Sequence, residues 1–209
     1  MKPSLNEIDL YFITDSKLTK KTVLGDVKAA IKAGVKIIQY REKEKPTKLM
    51  YKEARKIKNL CDQNNVLLII NDRIDICQAV DADGVHLGNE DMPYNEARRL
   101  LKDKIIGLTA HNVKEAVQAE KLRADYIGVS PIFETKTKLD AGKPGGLKLI
   151  KDVKRAVRIP FVAIGGINLE NIGDVVEAGA KSAAVISAIV TKDNVKEECK
   201  KFINKINSK

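Results

Sequence analysis

The segment FVAIGGINLENIGDVVEAGAKSAAVIS (161–187) contains the unit that decides the fold of this chain. It begins with a short apolar run, FVAIG (161–165), continues with apolar residues at helical spacing, and ends with a second apolar run, AAVIS (183–187). Gly179 stands where the helix should end, and glycine is the usual residue in a left-handed helix cap. The pattern predicts a strand, a helix and a second strand in that order.

The same unit recurs along the whole chain. Eight apolar or β-branched runs predict strands: LYFIT (10–14), KIIQY (36–40), LLIIN (67–71), GVHL (84–87), KIIGLT (104–109), YIGVS (126–130), FVAIG (161–165) and AAVIS (183–187). Eight strand–helix units in 209 residues lie near the lower length limit of a (β/α)8 TIM barrel. A doubly wound open sheet is the alternative, but the even spacing and the count of eight favour the α/β barrel. No linker rich in proline or glycine divides the chain, so we expect one domain over residues 1–209.

Composition excludes several classes of protein. The hydrophobic content of 44% predicts an ordinary globular core. The three cysteines, Cys61, Cys77 and Cys199, form no CxxC pair, which disfavours a disulfide framework or a zinc site. No apolar run is long enough to span a membrane, and the start lacks the apolar region of a signal peptide. We therefore expect a soluble, cytoplasmic protein.

The net charge of +10 is compatible with an anionic partner. Aromatic residues make up 4% of the chain and tryptophan is absent, which disfavours binding of single-stranded nucleic acid by base stacking. Basic residues are interleaved with acidic and apolar ones in helical stretches such as KEARKIKNL (52–60), so a solvated, lysine-rich exterior is the simpler interpretation. We expect small phosphorylated partners, and neither nucleic acid nor a membrane; the sequence indicates no oligomeric state.

In a TIM barrel the functional residues lie at the carboxyl ends of the strands and in the loops that follow. At these positions the sequence places amide, basic, acidic and hydroxyl side chains, a set suited to anionic ligands and a hard metal ion. These residues are Thr14, Asp15, Gln39, Arg41, Lys43, Asn71, Asp72, Arg73, His86, Asp91, Thr109, His111, Ser130, Gly165, Gly166 and Ser187.

The motif QYREK (39–43) continues a strand with a period of two. Gln39, Arg41 and Lys43 should therefore project to the same side. One amide and two cations at a strand end suit a heterocycle that carries a phosphate group. A charged strand exit at the surface is the alternative, and spacing alone does not decide between them.

Two acidic residues follow neighbouring strands, Asp72 in NDR (71–73) and Asp91 in NEDMP (89–93). Two carboxylates on adjacent loops can hold Mg²⁺, which completes its octahedron with waters and substrate phosphates. The alternatives are a helix N-cap for Asp72 and a turn residue for Asp91. The basic motif QYREK nearby favours the metal site, since cations and Mg²⁺ together are what a pyrophosphate group needs.

Three loops at the end of the chain predict a phosphate site. The long loop after the sixth predicted strand contains ETKTK (134–138), whose threonines and lysines offer hydroxyl donors and positive charge. Gly165 and Gly166 follow the seventh strand, and Ser187 follows the eighth. Backbone N–H groups in these two loops commonly hold phosphate in TIM barrels. A tight turn at the glycines and a flexible polar loop are the alternatives.

The two histidines, His86 and His111, are candidates for a catalytic base, although a hydrogen-bonded structural role fits both better. Cys61 and Cys77 lie on apolar helix faces and predict core positions. Tyr126, Phe133 and Phe161 are likewise explained by packing.

Eight motifs in order together resemble the thiamine-phosphate synthase family, also called thiamine-phosphate pyrophosphorylase. They cover about residues 10 to 190 and are YFITD (11–15), QYREK (39–43), IINDRID (69–75), ADGVHLGNEDMP (82–93), GLTAH (107–111), PIFETKTK (131–138), AIGGI (163–167) and VISAI (185–189). The resemblance implies a Mg²⁺-dependent transferase. The family couples 4-amino-2-methyl-5-(diphosphooxymethyl)pyrimidine to thiazole phosphate and releases pyrophosphate, with no protein nucleophile.

The resemblance also implies three groups of site residues. Contacts to the pyrimidine diphosphate would come from Gln39, Tyr40, Arg41, Glu42, Lys43, Asn71, Thr109 and Lys138. Contacts to the thiazole phosphate would come from Thr135, Lys136, Thr137, Gly165, Gly166, Ile186 and Ser187. The Mg²⁺ ligands would be Asp72 and Asp91.

The chain departs from the family pattern at three positions. Thr109 stands where serine is common and keeps the hydroxyl, whereas Glu134 replaces a usual proline and Ser130 a common glycine. The triplet FET (133–135) also resembles the related thiazole tautomerases, which would use a histidine at the position of His111. Tautomerases lack the aspartate pair that is present here, so the synthase is favoured. A tautomerase or another phosphate-binding barrel enzyme, and a non-enzymatic basic binding protein, are the rival classes.

Overall fold

A computed structural model describes residues 1–135, 137 and 142–208. Eight parallel strands close into a barrel in chain order. They are β1 (Leu10–Ile13), β2 (Ile37–Tyr40), β3 (Leu67–Asn71), β4 (Gly84–Leu87), β5 (Ile105–Ala110), β6 (Tyr126–Val129), β7 (Phe161–Ile164) and β8 (Ala183–Val185).

Helices connect the strands and surround the barrel. A short 3₁₀ turn, Leu5–Glu7, precedes β1. The α-helices are α1 (Val23–Ala33), α2 (Thr47–Gln63), α3 (Ile74–Val80), α4 (Tyr94–Leu101), α5 (Val113–Lys121), α6 (Gly146–Ala156), α7 (Ile172–Glu177), α8 (Ser187–Val190) and α9 (Val195–Asn207).

The sheet closes where the first strand pairs with the last. Leu10 lies opposite Ala183 and Phe12 opposite Val185, in the same parallel sense as every other strand pair. An open doubly wound sheet has two edge strands with only one neighbour each, whereas every strand here has two. The prediction of a TIM barrel is therefore confirmed, and the open sheet is excluded.

The junctions between helices and strands explain the even repeat. Four junctions between a helix and the next strand contain a residue in the left-handed region, Gly34 (φ 99°), Asp81 (φ 56°), Arg123 (φ 64°) and Gly179 (φ 111°). In each case the left-handed residue follows the helix and turns the chain toward the next strand. The prediction of such a cap at Gly179 is confirmed.

Two hydrophobic clusters hold the barrel together. The larger cluster lies between the strands and the surrounding helices and includes the three cysteines, which are buried and free. The smaller cluster fills the barrel interior with side chains such as Tyr11, Ile69 and Tyr126. Ile8, from the segment before β1, joins this inner cluster. Because side chains fill the interior, the barrel has a packed core, and the carboxyl-terminal mouth is where a TIM barrel holds its ligand.

No helix in the described ranges is both long enough and apolar enough to cross a membrane.

Candidate active site

A cavity of about 600 Å³ opens at the carboxyl ends of the strands. Most of the residues predicted from the sequence line it together. These residues are Gln39, Arg41, Lys43, Asn71, Asp72, Asp91, Thr109, Thr135, Thr137, Gly165, Gly166, Ile186 and Ser187. Gln39, Arg41 and Lys43 all face the cavity, as the period of two in QYREK predicts.

At the side of the cavity formed by β2, β3 and β4, two carboxylates meet one ammonium group. Lys43 Nζ forms an ion pair with Asp72 Oδ2. Asp91 lies beside Asp72, and burial together with the neighbouring Asp72 carboxyl raises the pKa of Asp91 above its usual range. A cation shared by the two carboxyl groups would reduce the electrostatic repulsion between them.

The local backbone favours a ligand role for Asp72 over a capping role. Helix α3 begins at Ile74, Arg73 occupies its N-cap position, and no side chain caps it. Asp72 is held instead in the left-handed region, with φ of 60°, and its N–H donates to the carbonyl of His86 on β4. This conformation turns the Asp72 side chain into the cavity.

Asp91 combines the two roles considered for it. Its Oδ2 accepts the N–H of Gly88 at 2.7 Å, which closes the turn after β4. Its carboxyl group also faces Asp72. The turn residue and the carboxylate beside Asp72 are therefore the same side chain.

The donors at this side of the cavity fit Mg²⁺. Among the described residues, no three His, Cys, Asp or Glu side chains come together, so the protein offers the carboxylates of Asp72 and Asp91. Mg²⁺ is commonly bound through one or two carboxylates, with waters and substrate phosphates completing the octahedron. The amide nitrogen of Asn71, the neighbour of Asp72, is buried without a hydrogen-bond partner and lies at the cavity wall. It is available to a ligand.

One charged contact at this site was missed from the sequence. The Arg41 guanidinium donates to Asp15 Oδ2 at 2.6 Å, and the Asp15 side chain is 9% exposed. Asp15 Oδ1 also accepts the N–H groups of Lys17 and Leu18 after β1. Asp15 thus fixes the direction in which Arg41 enters the cavity. Its position at a strand end was the only available signal.

Two residues of the QYREK motif lie away from the cavity. The Tyr40 ring packs in the cluster between strands and helices, and its hydroxyl donates to Glu53 on α2 at 2.8 Å. The Glu42 carboxylate is buried and accepts the N–H groups of Glu44 and Lys45 at the turn before α2. Neither Tyr40 nor Glu42 lines the cavity, and a contact from either residue to a ligand stays a prediction. Both point away from the cavity because of the same period of two that points Gln39 and Arg41 inward.

The opposite side of the cavity is built mainly from backbone. Gly165 and Gly166 adopt φ of 105° and 66°, a region that favours glycine. The loop after β6 runs alongside them, because Phe133 N–H donates to Gly165 O at 2.9 Å and Ile132 N–H donates to Ile164 O. A side chain at Gly166 would meet Glu134 O at 2.4 Å, so only glycine permits this approach.

The hydroxyl groups of the long loop reach this backbone wall. Thr135 and Thr137 line the cavity, and Thr137 N–H donates to Thr135 Oγ1 at 3.2 Å. Ile186 and Ser187, where α8 starts, complete the wall. The predicted contacts of Lys136 and Lys138 lie outside the described residues.

A chain of hydrogen bonds crosses the floor of the cavity. Gln39 Nε2 donates to Tyr11 Oη at 3.2 Å, and Tyr11 Oη lies 2.8 Å from Tyr126 Oη. His86 continues the chain, with Nδ1 3.0 Å from Tyr126 Oη and Nε2 3.0 Å from Thr109 Oγ1. Burial raises the pKa of both tyrosines well above the usual value, so both phenols keep their protons.

The structure places both histidines in hydrogen bonds. His86 belongs to the chain described above, and His111 Nδ1 lies 2.6 Å from the carbonyl oxygen of Ser130. Packing explains the position of the Tyr126 ring, which belongs to the inner cluster. It does not explain the hydroxyl, which links Tyr11 to His86.

Comparisons with known proteins agree on one family. Residues 10–189 match the family model described as thiamine monophosphate synthase. A thiamine-phosphate synthase from Methanosarcina barkeri is 53% identical over 203 residues, covering 97% of this chain and 92% of that protein. One from Chloroflexus aurantiacus is 48% identical, covering 89% of this chain and 87% of that protein. The solved structure of a thiamine phosphate pyrophosphorylase from Pyrococcus furiosus has a TM-score of 0.91 at 37% identity and covers 98% of each chain. The chain therefore belongs to the thiamine monophosphate synthase family.

Proposed function

We propose that the chain joins 4-amino-2-methyl-5-(diphosphooxymethyl)pyrimidine to thiazole phosphate in a Mg²⁺-dependent reaction that forms thiamine phosphate and releases pyrophosphate. The observation that carries this proposal is a single cavity with two differently built anion-binding sides. One side holds carboxylates and cations, and the other holds hydroxyl side chains and two glycines. An enzyme that joins a diphosphate ester to a phosphate monoester needs both.

We assign the charged side to the diphosphate. Arg41 and Lys43 would contact its oxygens, and Asp72 and Asp91 would hold the Mg²⁺. When bound, Mg²⁺ neutralises negative charge on the leaving pyrophosphate. Gln39 and Asn71 lie deeper and contact the pyrimidine ring, and Thr109 lies between ring and diphosphate. Lys138 is assigned to the diphosphate by its place in the family motif.

We assign the backbone side to the thiazole phosphate. Thr135, Thr137 and Gly166 surround a space that suits the three oxygens of a monoester, with Gly165, Ile186 and Ser187 beside them. Lys136 joins this group by its place in the motif. Holding the phosphate here directs the thiazole ring toward the pyrimidine methylene carbon.

The chemistry needs positioning and charge rather than a protein nucleophile. The bond between the methylene carbon and the diphosphate oxygen breaks, and the electron pair leaves with pyrophosphate. Arg41 and Lys43 stabilise the charge that develops on this leaving group. The thiazole nitrogen then donates its electron pair to the methylene carbon, forming the new C–N bond and the thiazolium charge.

A thiazole tautomerase is the second candidate, and the structure offers it less support. The features in its favour are the FET triplet (133–135) and His111 at the cavity wall. A tautomerase has no diphosphate to neutralise, so it would leave the cluster of Lys43, Asp72 and Asp91 unexplained. Because both substrates of the synthase are phosphorylated metabolites, we place the enzyme in the cytoplasm.

The test is incubation of the purified protein with both substrates, with and without Mg²⁺. Thiamine phosphate and pyrophosphate should appear in equal amounts when Mg²⁺ is present, and EDTA should stop the reaction. Isomerised thiazole phosphate without pyrophosphate release would identify a tautomerase instead. Equal rates with and without the metal would contradict the role of Asp72 and Asp91.

A further inference from the structure

The hydrogen-bond chain across the cavity floor links two parts of the proposed site through three residues that no substrate assignment uses. Gln39 stands at one end and Thr109 at the other, and Tyr11, Tyr126 and His86 lie between them. Tyr11 and Tyr126 are 2% and 1% exposed, so water cannot substitute for a missing partner.

One order of donors gives every proton of Tyr11, Tyr126 and His86 an acceptor within this chain. Gln39 Nε2 donates to Tyr11 Oη, so the single proton of Tyr11 points away from Gln39 and toward Tyr126. Tyr126 accepts that proton and therefore donates its own to His86 Nδ1. The neutral imidazole then carries its proton on Nε2 and donates it to Thr109 Oγ1.

Thr109 is the last residue in this series of hydrogen bonds. Because Thr109 Oγ1 accepts from His86, the hydroxyl proton of Thr109 is not used within the chain. Thr109 lines the cavity beside Gly128 and His86. Its proton is therefore available to an acceptor in the cavity, such as a diphosphate oxygen.

The neighbouring strands make room for this arrangement. A Cβ at Gly107 on β5 would lie 2.1 Å from Cζ of Tyr126, and one at Gly128 on β6 would lie 2.9 Å from Cε1 of His86. Neither side chain could keep its place if these two positions carried even a methyl group. Gly107 and Gly128 therefore leave the space that the Tyr126 and His86 side chains occupy.

We propose that Tyr11, Tyr126 and His86 are positioning residues that orient the Thr109 hydroxyl as a hydrogen-bond donor toward the leaving pyrophosphate. The inference rests on the proposed function. A donor oriented before the reaction stabilises the developing negative charge without reorganisation at the moment of bond cleavage. The chain thus turns a hydroxyl that could rotate into a fixed donor.

The first test is a double-mutant cycle. Thr109→Val should lower kcat about 100-fold, and Tyr126→Phe about tenfold, with the KM for thiazole phosphate unchanged in both. If Tyr126 acts through Thr109, the double variant should be no slower than Thr109→Val alone by more than about twofold. Losses that multiply in the double variant would show that Tyr126 acts by another route and would overturn the proposal.

A readout on the ligand-free protein tests the proton order without any turnover. Two-bond ¹H–¹⁵N NMR spectra of ¹⁵N-histidine protein should show His86 protonated on Nε2, with His111→Gln used to assign the two histidines. Tyr126→Phe should shift the tautomer balance of His86. A wild-type His86 protonated on Nδ1 would reverse every donor in the chain and overturn the proposal.

A matched control separates positioning from simple loss of a buried hydroxyl. Tyr94, on α4, also has a buried ring, its hydroxyl donates to the carbonyl oxygen of Arg123 at 2.6 Å, and it does not line the cavity. Tyr94→Phe should lower the melting temperature as Tyr126→Phe does, but leave kcat and the His86 tautomer unchanged. If both variants change kcat equally, the effect is structural and the proposal fails.

Two outcomes distinguish this inference from the proposed function. If the wild type makes no thiamine phosphate but His86 shows the Nε2 proton, the reaction is wrong and the proton order stands. If the wild type is active but the cycle is multiplicative, the reaction stands and the positioning role is wrong. Should Tyr126→Phe fail to fold, Tyr11→Phe removes the preceding donor and tests the same order.

Discussion

The two sides of the cavity are built from different chemical groups. On the side of β2 to β4, the charged groups already have partners inside the protein, Asp72 for Lys43 and Asp15 for Arg41. On the side of β6 to β8, the wall is shaped by Gly165 and Gly166 and by hydroxyl groups. If the proposed assignment holds, a diphosphate on the first side would exchange existing ion pairs for new ones, whereas a monoester on the second side would break no ion pair described there. This contrast would suit the proposed reaction, because the diphosphate would leave and the monoester would stay.

The largest effect should come from the aspartates of the charged side. Asp72→Asn or Asp91→Asn should lower kcat/KM more than about 100-fold, because removing a metal ligand costs more than the 10- to 100-fold typical of its supporting residues. Asparagine tolerates the left-handed conformation of Asp72, so folding should be preserved. The measurement is thiamine phosphate formation across a Mg²⁺ titration, with circular dichroism to check the fold.

Asp75→Asn is the control for these variants. Asp75 lies on α3, three residues beyond Asp72, and pairs with Arg73 at the surface. Its substitution should leave activity unchanged. Full activity of both Asp72→Asn and Asp91→Asn at ordinary Mg²⁺ concentrations would remove the distinction between the two sides.

On the backbone side, Gly166→Ala should have the next largest effect. The φ of 66° strains alanine by about 1–2 kcal/mol, and its methyl group would collide with Glu134 O. We expect the KM for thiazole phosphate to rise about 100-fold with a smaller change for the pyrimidine substrate, since 1.4 kcal/mol corresponds to tenfold. Gly173→Ala is the control, because nothing lies within 4 Å of that position inside α7. A rise of KM for both substrates would argue against a local phosphate site.

The hydroxyl groups of this side should contribute less than its backbone. Thr135→Val should cost about 1.5 kcal/mol or more, the value of a hydrogen bond to a charged group, which raises the KM for thiazole phosphate at least about tenfold. Thr137→Val should act in the same direction. Steady-state kinetics with each substrate varied in turn supplies the comparison within one protein. Equal losses for the two substrates would contradict the assignment of the loop.

The smallest effect should come from Asp15→Asn. Asparagine keeps an oxygen for the N–H groups of Lys17 and Leu18 but loses the charge that holds Arg41. We expect the KM for the pyrimidine diphosphate to rise about three- to tenfold, with the KM for thiazole phosphate unchanged. If Arg41 is instead freed to bind the diphosphate better, the KM will fall, and the ion pair is a competitor rather than a support.

Much of the fold could be predicted because each strand is a compact apolar run bounded by a cap or turn. GVHL (84–87) and LLIIN (67–71) match β4 and β3 residue for residue. The last run, AAVIS (183–187), matches only to Val185, because the backbone leaves the extended region at Ile186 (φ −116°, ψ −89°) and α8 starts at Ser187. Such strand ends depend on loop geometry, which local sequence does not encode.

The site could be predicted in part for a similar reason. The alternation in QYREK places Gln39, Arg41 and Lys43 at the cavity as predicted, but its motif-based extension to Tyr40 and Glu42 ignores that alternation. The place of Tyr126 in the cavity could not be predicted, because strands of a parallel barrel are buried on both faces. The apolar pattern of such a strand does not show which side chains point inward. The pair of Asp15 and Arg41 joins residues distant in sequence and became visible only when β1 and β2 were placed side by side.

The seam between β1 and β8 has a consequence for how the protein is made. Tyr11 pairs with Ala184 across this seam. The barrel therefore cannot close until β8, the last strand to be synthesised, pairs with β1, the first. Contacts so far apart in sequence form slowly, and a nascent chain with seven strands still exposes apolar edges. The cavity draws on residues from Tyr11 to Ser187, so synthesis must pass that serine before any substrate can be held. A ribosome that stalls before Ser187 would carry an inactive chain with exposed apolar surface, which is the kind of chain that chaperones bind.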